Sequence, residues 1–317
     1  TNLVSPIILS FVLGLLAALA RSDLSFPEAI AKGLSLYLLF AIGFKGGASV
    51  AAHGADLQLA SALVAGAVLS LLLPFVAFAL LRATTRVSVV DAAAIAGHYG
   101  SISIVTFVAA SSLLAALGIA AEGYMVAVAA AMEAPAILSA LWLATRRGGG
   151  ADRMGGDLWR EILLNGSVIL LLGAFAIGLI TGERGMATIS GFFVVPFNGV
   201  LCLFLLDMGL VAGRGLRGGR GLLSPGLLAF GLMMPLIGGA CGLATGLLLG
   251  LSTGGVVLLM VLGASASYIA VPAAMRVALP EANPALSLTL SLGVTFTFNL
   301  TLGIPLYLMV ATAVTGS

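Results

Sequence analysis

Long apolar stretches follow one another along almost the whole chain, and charge hardly interrupts them. A transmembrane helix needs about 20 mostly apolar residues. Ten such stretches lie near 3–20, 26–50, 57–82, 88–117, 122–145, 160–181, 188–212, 222–250, 253–279 and 284–313. Charged residues make up 8% of the 317, against about 25% in soluble domains. No water-soluble globule of this length is expected, and no strand-like alternation supports a β-barrel. The reading is an all-α polytopic membrane protein.

Several other classes find no support. There is no basic tract or zinc spacing to suggest nucleic acid. Cys202 and Cys241 stand alone in apolar stretches, as small hydrophobes do. No cofactor and no transition metal is expected. The opening TNLVSPIILS has no basic n-region or cleavage site, so no removable signal peptide is expected.

Basic residues set the orientation. With the N-terminus outside, inner connections collect Arg21, Arg82, Arg86, Arg146, Arg147, Arg153, Arg160, Arg214, Arg217, Arg220 and Arg276, 11 of the 14 Lys and Arg. Outer connections receive Lys45 and Arg184, while Lys32 lies toward the inner end of segment two. Both termini then face outward, across the cell inner (plasma) membrane. Five segments is an odd number, so a second set of five runs inverted relative to the first. The expected organisation is a 5+5 inverted repeat: residues 1–147, a cytoplasmic linker at 148–159, and residues 160–317.

Two polar interruptions fit that repeat. GHYGSIS (Gly97 to Ser103) and GASASYI (Gly263 to Ile269) break segments four and nine. One shift of 166 residues places Gly97 on Gly263, Ser101 on Ser267, Gly33 on Gly199, Gly43 on Gly209 and Gly47 on Gly213. Segment four, as one helix of about 30 residues, would be about 45 Å long, beyond a hydrocarbon core of about 30 Å. Breaks at Gly97–Gly100 and Gly263–Ser267 would let half-helices meet near mid-membrane, the arrangement of a transporter binding site. Kinked helices whose small residues merely pack closely are the simpler alternative.

A broken helix presents unpaired N–H groups and a positive dipole end, which suit a small anion. Free carbonyls of the preceding half-helix suit a small cation such as sodium. The expected substrate residues are Gly100, Ser101, Ser103, Thr106, Ser265, Ser267 and Tyr268. The expected sodium-binding or charge-balancing residues are Gly97, Ser103, Glu133, Gly263, Ser265 and Asn299. Glu133 lies at mid segment five, where a carboxylate is costly unless paired, solvated or protonated. Its counterpart at the 166 shift is Asn299, with Thr295 and Thr297 expected to orient the second half-helix. A protonated Glu133 bonded to a neighbouring helix is the structural alternative. His98 could carry a proton or hydrogen-bond a carbonyl. Asp91 is expected to cap segment four, Asp207 to snorkel or pair near Arg214, and Asn283–Pro284 to open segment ten.

The stretches VVDAAAIAGHYGSISIVTFVAA (Val89 to Ala110), AMEAPAILSAL (Ala131 to Leu141) and GASASYIAVPAAMRVALPEANP (Gly263 to Pro284) resemble the sodium-dependent bicarbonate transporters first recognised in cyanobacteria, the SbtA type. The family's serine and threonine fall on Ser103 and Thr106, its acidic residue on Glu133, and its arginine and P-x-A-N-P on Arg276 and Pro280 to Pro284. Where cyanobacterial members carry a serine run followed by aspartate, this chain has Ser265, Ala266, Ser267 and Tyr268. A phenol there removes a fixed charge and adds bulk. The linker between halves is also much shorter than in typical members, so the family's PII-like cytoplasmic regulator is not implied.

The resemblance implies a homotrimer with gate and core domains each built from both repeats, and an elevator-like motion between them. It implies secondary active, sodium-coupled uptake of bicarbonate. From the residues alone another small anion or carboxylate, or proton coupling through Glu133 or His98, stays open. So do a passive channel and, more distantly, an intramembrane enzyme with Ser101 or Ser103 as nucleophile and His98 as base.

Overall fold

The computed structural model describes residues 6–53, 57–148, 166–218, 223–268, 271–272, 274–275 and 279–316. Among these, every regular element is helical. The elements are α1 (Pro6–Leu19), α2 (Glu28–His53), α3 (Leu57–Thr84), α4 (Val89–Gly100), α5 (Ile104–Ala116), α6 (Met125–Ala131) and α7 (Glu133–Gly148). They continue with α8 (Gly166–Phe193), α9 (Phe197–Gly218), α10 (Pro225–Leu248), α11 (Thr253–Ala264), α12 (Pro284–Leu288) and α13 (Ile304–Thr315). Between α12 and α13 the chain is π-helical over Thr289–Phe296 and Asn299–Gly303. Residues 149–159 of the expected linker, with Arg153, Arg160, Arg220 and Arg276, lie outside the described residues.

Among the described residues eight helical stretches are long and apolar enough to cross a membrane, and α1 and α11 are shorter apolar helices in the places of segments one and nine. The protein is a multi-pass membrane protein. Apolar side chains cover its outside as well as its core: Leu9, Leu13 and Leu16 of α1, Val64, Val68 and Leu72 of α3, and Met233 and Leu236 of α10 are exposed. In water such faces would drive association; in lipid they cost nothing. The two helices leading to the breaks are enclosed instead. α11 buries every residue from Gly254 to Ala264, and α4 every residue from Ala92 to Gly100.

Two helix pairs stand on backbone contact. In α2, a Cβ on Gly43 or Gly47 would lie 2.5 or 1.9 Å from the carbonyl oxygens of Leu171 and Phe175 in α8. In α9, a Cβ on Gly209 would lie 2.1 Å from the oxygen of Phe11, and one on Gly213 2.9 Å from that of Leu15, both in α1. Each pair adds a glycine from the other helix, Gly178 against Phe44 O and Gly14 against Leu206 O. Close approach of this kind is how membrane helices gain packing where lipid offers no hydrophobic drive. These four helices pack chiefly on one another, and α3 to α7 with α10 to α13 make up the rest.

Two boundaries depart from expectation. Segments six and seven were expected to part between residues 181 and 188; the helical path instead kinks there, at Gly182 with φ 56° and ψ −148°, and turns only at Val194–Pro196. A single left-handed glycine bends the path without an extended connection. Lys45, expected in an outer connection, lies within α2, eight residues before its end at His53. Segment five is also divided: α6 ends at Ala131, Ser70 Oγ donates to Met132 O at 2.5 Å, and α7 begins at Glu133.

Gly209→Ala should lower the unfolding temperature in detergent by several degrees, since a Cβ meeting a backbone oxygen costs about 1–3 kcal/mol. Gly33→Ala, with nothing within 4 Å of its Cβ, should not lower it. Equal unfolding temperatures for the two variants would remove the crossing from the account.

Candidate functional site at two helix breaks

α4 and α11 are each 12 residues long and built alike. Each begins under a serine N-cap: Ser88 Oγ accepts from Asp91 N at 3.0 Å, Ser252 Oγ from Gly255 N at 3.1 Å. A carboxylate ties each start to a distant loop. Asp91 Oδ1 accepts from Asn283 N at 2.7 Å, and Glu122 accepts from Ser252 N at 2.7 Å and Ser252 Oγ at 3.0 Å. Each helix ends on an extended serine, Ser101 (φ −84°, ψ 170°) and Ser265 (φ −84°, ψ 164°).

These caps place the breaks at Ser101–Ser103, just after the expected Gly97–Gly100, and at Ser265–Ser267, within the expected Gly263–Ser267. Cap to cap, the shift is 164 residues, so Ser101 corresponds to Ser265 and Ser103 to Ser267. The 166 register, read from residue identity, slips by two here. The glycines are not used for backbone freedom: Gly97, Gly100 and Gly263 are helical. They make room. Gly97 faces Ala140 and Met275, Gly100 faces Pro74 and Ala136, and a Cβ on Gly263 would lie 2.4 Å from Gly238 O.

The two breaks cross and bond to each other. Ser267 N donates to His98 O at 2.8 Å, and Ser103 N donates to Ser265 Oγ at 2.9 Å. Ser265 Oγ in turn donates to Leu262 O at 2.9 Å. His98 Nδ1 lies 2.5 Å from Ser267 O, so that nitrogen carries the hydrogen. His98 thus bonds a carbonyl, one of its two expected roles. Among the described residues no hydrogen bond joins it to Ser101 or Ser103.

Beyond the crossing each chain resumes. Ser103 caps α5, its Oγ accepting from Thr106 N at 3.2 Å and Thr106 Oγ1 at 2.9 Å. Ser267 Oγ accepts from Val271 N at 3.4 Å. The cap leaves the amides of Ile104 and Val105 as first-turn donors with no helical acceptor. Ser101, Ser103, Thr106, Ser265, Ser267 and Asn299 are all 3% exposed or less.

The mid-segment polar residues reach the breaks by equivalent contacts. Ser101 Oγ donates to Glu133 Oε2 at 3.1 Å, and Asn299 Nδ2 donates to Ala264 O at 2.8 Å. Tyr307 OH completes the second contact by donating to Asn299 Oδ1 at 2.9 Å. Asn299 therefore holds the end of the first half-helix, not the start of the second. Thr295 serves elsewhere: it accepts from Tyr99 OH at 2.6 Å and donates to Gly231 O at 2.7 Å. Thr297 Oγ1 turns back on Leu292 O at 3.4 Å.

Tyr268 sits beside this cluster. Its ring meets Phe296 edge-on at 5.3 Å, and Phe296 meets Phe11 of α1 in the same way. Its buried hydroxyl lies near Ser103 and meets no described residue in full hydrogen-bond geometry. The site as a whole offers amides, hydroxyls and carbonyls around one carboxylate, Glu133. No cluster of metal-binding side chains occurs among the described residues. Tyr99 and Tyr307 are the partners that spacing did not reveal: Tyr99 acts on a residue of a distant segment, and Tyr307 on Asn299 eight residues away in its own.

A family model described as the Na+-dependent bicarbonate transporter superfamily matches residues 6–312. No curated protein matches the chain.

Asn299→Ala should cost about 1–3 kcal/mol by leaving Ala264 O and Tyr307 OH unpaired. Adding Tyr307→Phe removes one of those orphans, so the double variant should lose less than the sum of the singles. Thermal unfolding of the four proteins measures it; strict additivity would mean that the two side chains are not coupled.

Proposed function

The chain belongs to the Na+-dependent bicarbonate transporter superfamily, and from that premise we propose that it takes up bicarbonate coupled to sodium, with both held at the crossed breaks. The observation that carries the reading is the crossing itself. Two half-helix ends and two half-helix starts meet in one buried place, and Ser103 heads a helix whose first amides lack acceptors. Bicarbonate is small, planar and singly charged. The amides of Ile104 and Val105 and the hydroxyls of Ser103 and Ser267 supply donors for it, and Ser101 and Thr106 join them by turning from Glu133 and Ser103. Tyr268 adds a buried donor without a partner, in the place of the family's aspartate. Sodium takes the carbonyls at the ends of α4 and α11 and the hydroxyl oxygen of Ser265. Glu133 balances its charge, and Asn299 fixes the second of those ends.

In this reading the ten segments form the 5+5 inverted repeat, residues 1–147 and 160–317, with both termini outside. The matched caps of α4 and α11 support it, as do the paired glycine crossings. α1, α2, α8 and α9 are the gate, and the remaining helices the core. The core moves against the gate in an elevator-like step, within a homotrimer in the bilayer. Such an alternation fits the backbone-tight pairing inside each group. We read the chain as a carrier and not as an enzyme, since His98 is committed to Ser267 O and not to a serine nucleophile.

The test is labelled bicarbonate uptake into proteoliposomes, with and without an inward sodium gradient. Uptake should saturate and require sodium, and Ser103→Ala should raise the KM for bicarbonate about tenfold or more, as expected for a lost hydrogen bond to a charged ligand. Glu133→Gln should weaken the response to sodium. An unchanged sodium response in that variant would return Glu133 to a purely structural role. No uptake by folded protein would rule out the cargo.

A further inference from the structure

We infer that a second anion site, a capture site for small monovalent oxyanions, lies in the cavity on the outer side of the breaks, with Lys45 as its charge and Ser111 as its buried donor. This rests on the transport reading for its orientation and deepens it. The cavity has a volume of about 510 Å³ and is lined by Lys45, Phe107, Ser111, Ser112, Glu122 and Asn198 among others. A volume many times the roughly 30 Å³ of a water molecule admits an anion with part of its hydration shell.

Lys45 is unusual in its place. It lies within a membrane-crossing stretch with its side chain exposed, so its ammonium must reach water or a polar partner. The carboxylate that shares its cavity is already engaged, because both oxygens of Glu122 accept from Ser252. Among the described residues Lys45 has no ion pair or hydrogen bond. The charge is left for something that enters.

Ser111 supplies the second element. A serine inside a helix usually bonds back to the preceding turn, as Thr181, Thr245 and Thr312 do here. Ser111 Oγ is buried and bonds none of the described residues. It stands on the same face of α5 as Ser103 and Phe107, at steps of four residues. Ser103 is thus about 12 Å below it, with the buried Phe107 ring between them. An anion held at Lys45 and Ser111 waits one aromatic side chain away from the breaks.

The charge balance sets the ligand class. One ammonium with a carboxylate nearby favours a singly charged oxyanion, such as bicarbonate, formate or nitrate, over a dianion such as sulfate. In the other half Lys45 falls on Val211 at the 166 shift, and Ser111 on Met275 at the 164 shift of the breaks. The feature is one-sided, as capture from outside requires.

The experiment reads the site without relying on transport. In a protein with Cys202 and Cys241 replaced by alanine, Ser111→Cys is reacted from outside with an anionic and a cationic methanethiosulfonate. The anionic reagent should be favoured, and adding Lys45→Met should cut that preference by at least about threefold. Lys45→Arg should keep it. Bicarbonate, formate or nitrate should slow the labelling, and sulfate at equal ionic strength should not. Ser112→Cys, in the same cavity, is the second reporter should Ser111→Cys fold poorly. A preference indifferent to Lys45, a thiol that no outside reagent reaches, or labelling that no small monoanion slows would each overturn the site. Protection by formate or nitrate but not by bicarbonate would keep the site and abandon bicarbonate as the cargo.

Discussion

A helix that stops inside a membrane leaves amides and carbonyls that lipid cannot satisfy, and each must find a partner within the protein. Here the partners come from the other break. Ser103 N finds Ser265 Oγ, and Ser267 N finds His98 O. What remains is met from the long helices nearby, Glu133 at Ser101 and Asn299 at Ala264 O. These bonds close much of each break, while the first-turn amides of Ile104 and Val105 stay available to a ligand. The enclosure of α4 and α11 follows from the same need, since a half-helix facing lipid would expose its end.

The glycines divide into those that permit approach and those that permit a turn. Gly43, Gly47, Gly209 and Gly213 bring backbones together, and Gly238 and Gly263 do the same between α10 and α11. Gly182 instead bends the path of α8. At the breaks no glycine is left-handed, and extended serines end the helices. Serine suits this position because its hydroxyl can cap what its backbone has opened.

Much of this was legible in the sequence. Apolar length marked the spans, and the polar clusters at Gly97–Ser103 and Gly263–Ile269 marked the two places where helices fail. Ser101, Ser103, Thr106, Ser265 and Ser267 are indeed gathered together, with Glu133 and Asn299 against them. Other features were not legible, for physical reasons. The 166 shift counted matching letters, whereas the half-helices match in length from cap to break, which gives 164. The stretch between residues 181 and 188, with Arg184, was expected to be a connection, yet one glycine, Gly182, bends the helical path there within a single residue. Lys45 was assigned to a loop because charge is expected outside the membrane; the cavity that accommodates it is formed by four distant segments. Tyr307 had no signal, and Thr295, expected to orient the second half-helix, instead meets Tyr99 and Gly231 O, which come into contact with it only on folding.

The glycine crossings also bear on how such a chain can diverge. Leu171 and Phe175 take part through their carbonyl oxygens, which every amino acid possesses. Their side chains are free to drift among aliphatic and aromatic types without disturbing the crossing, while Gly43 and Gly47 have no substitute. Over evolutionary time the long apolar residues of these helices can be exchanged almost at random, and ancestry would survive in them as the spacing of the smallest residues.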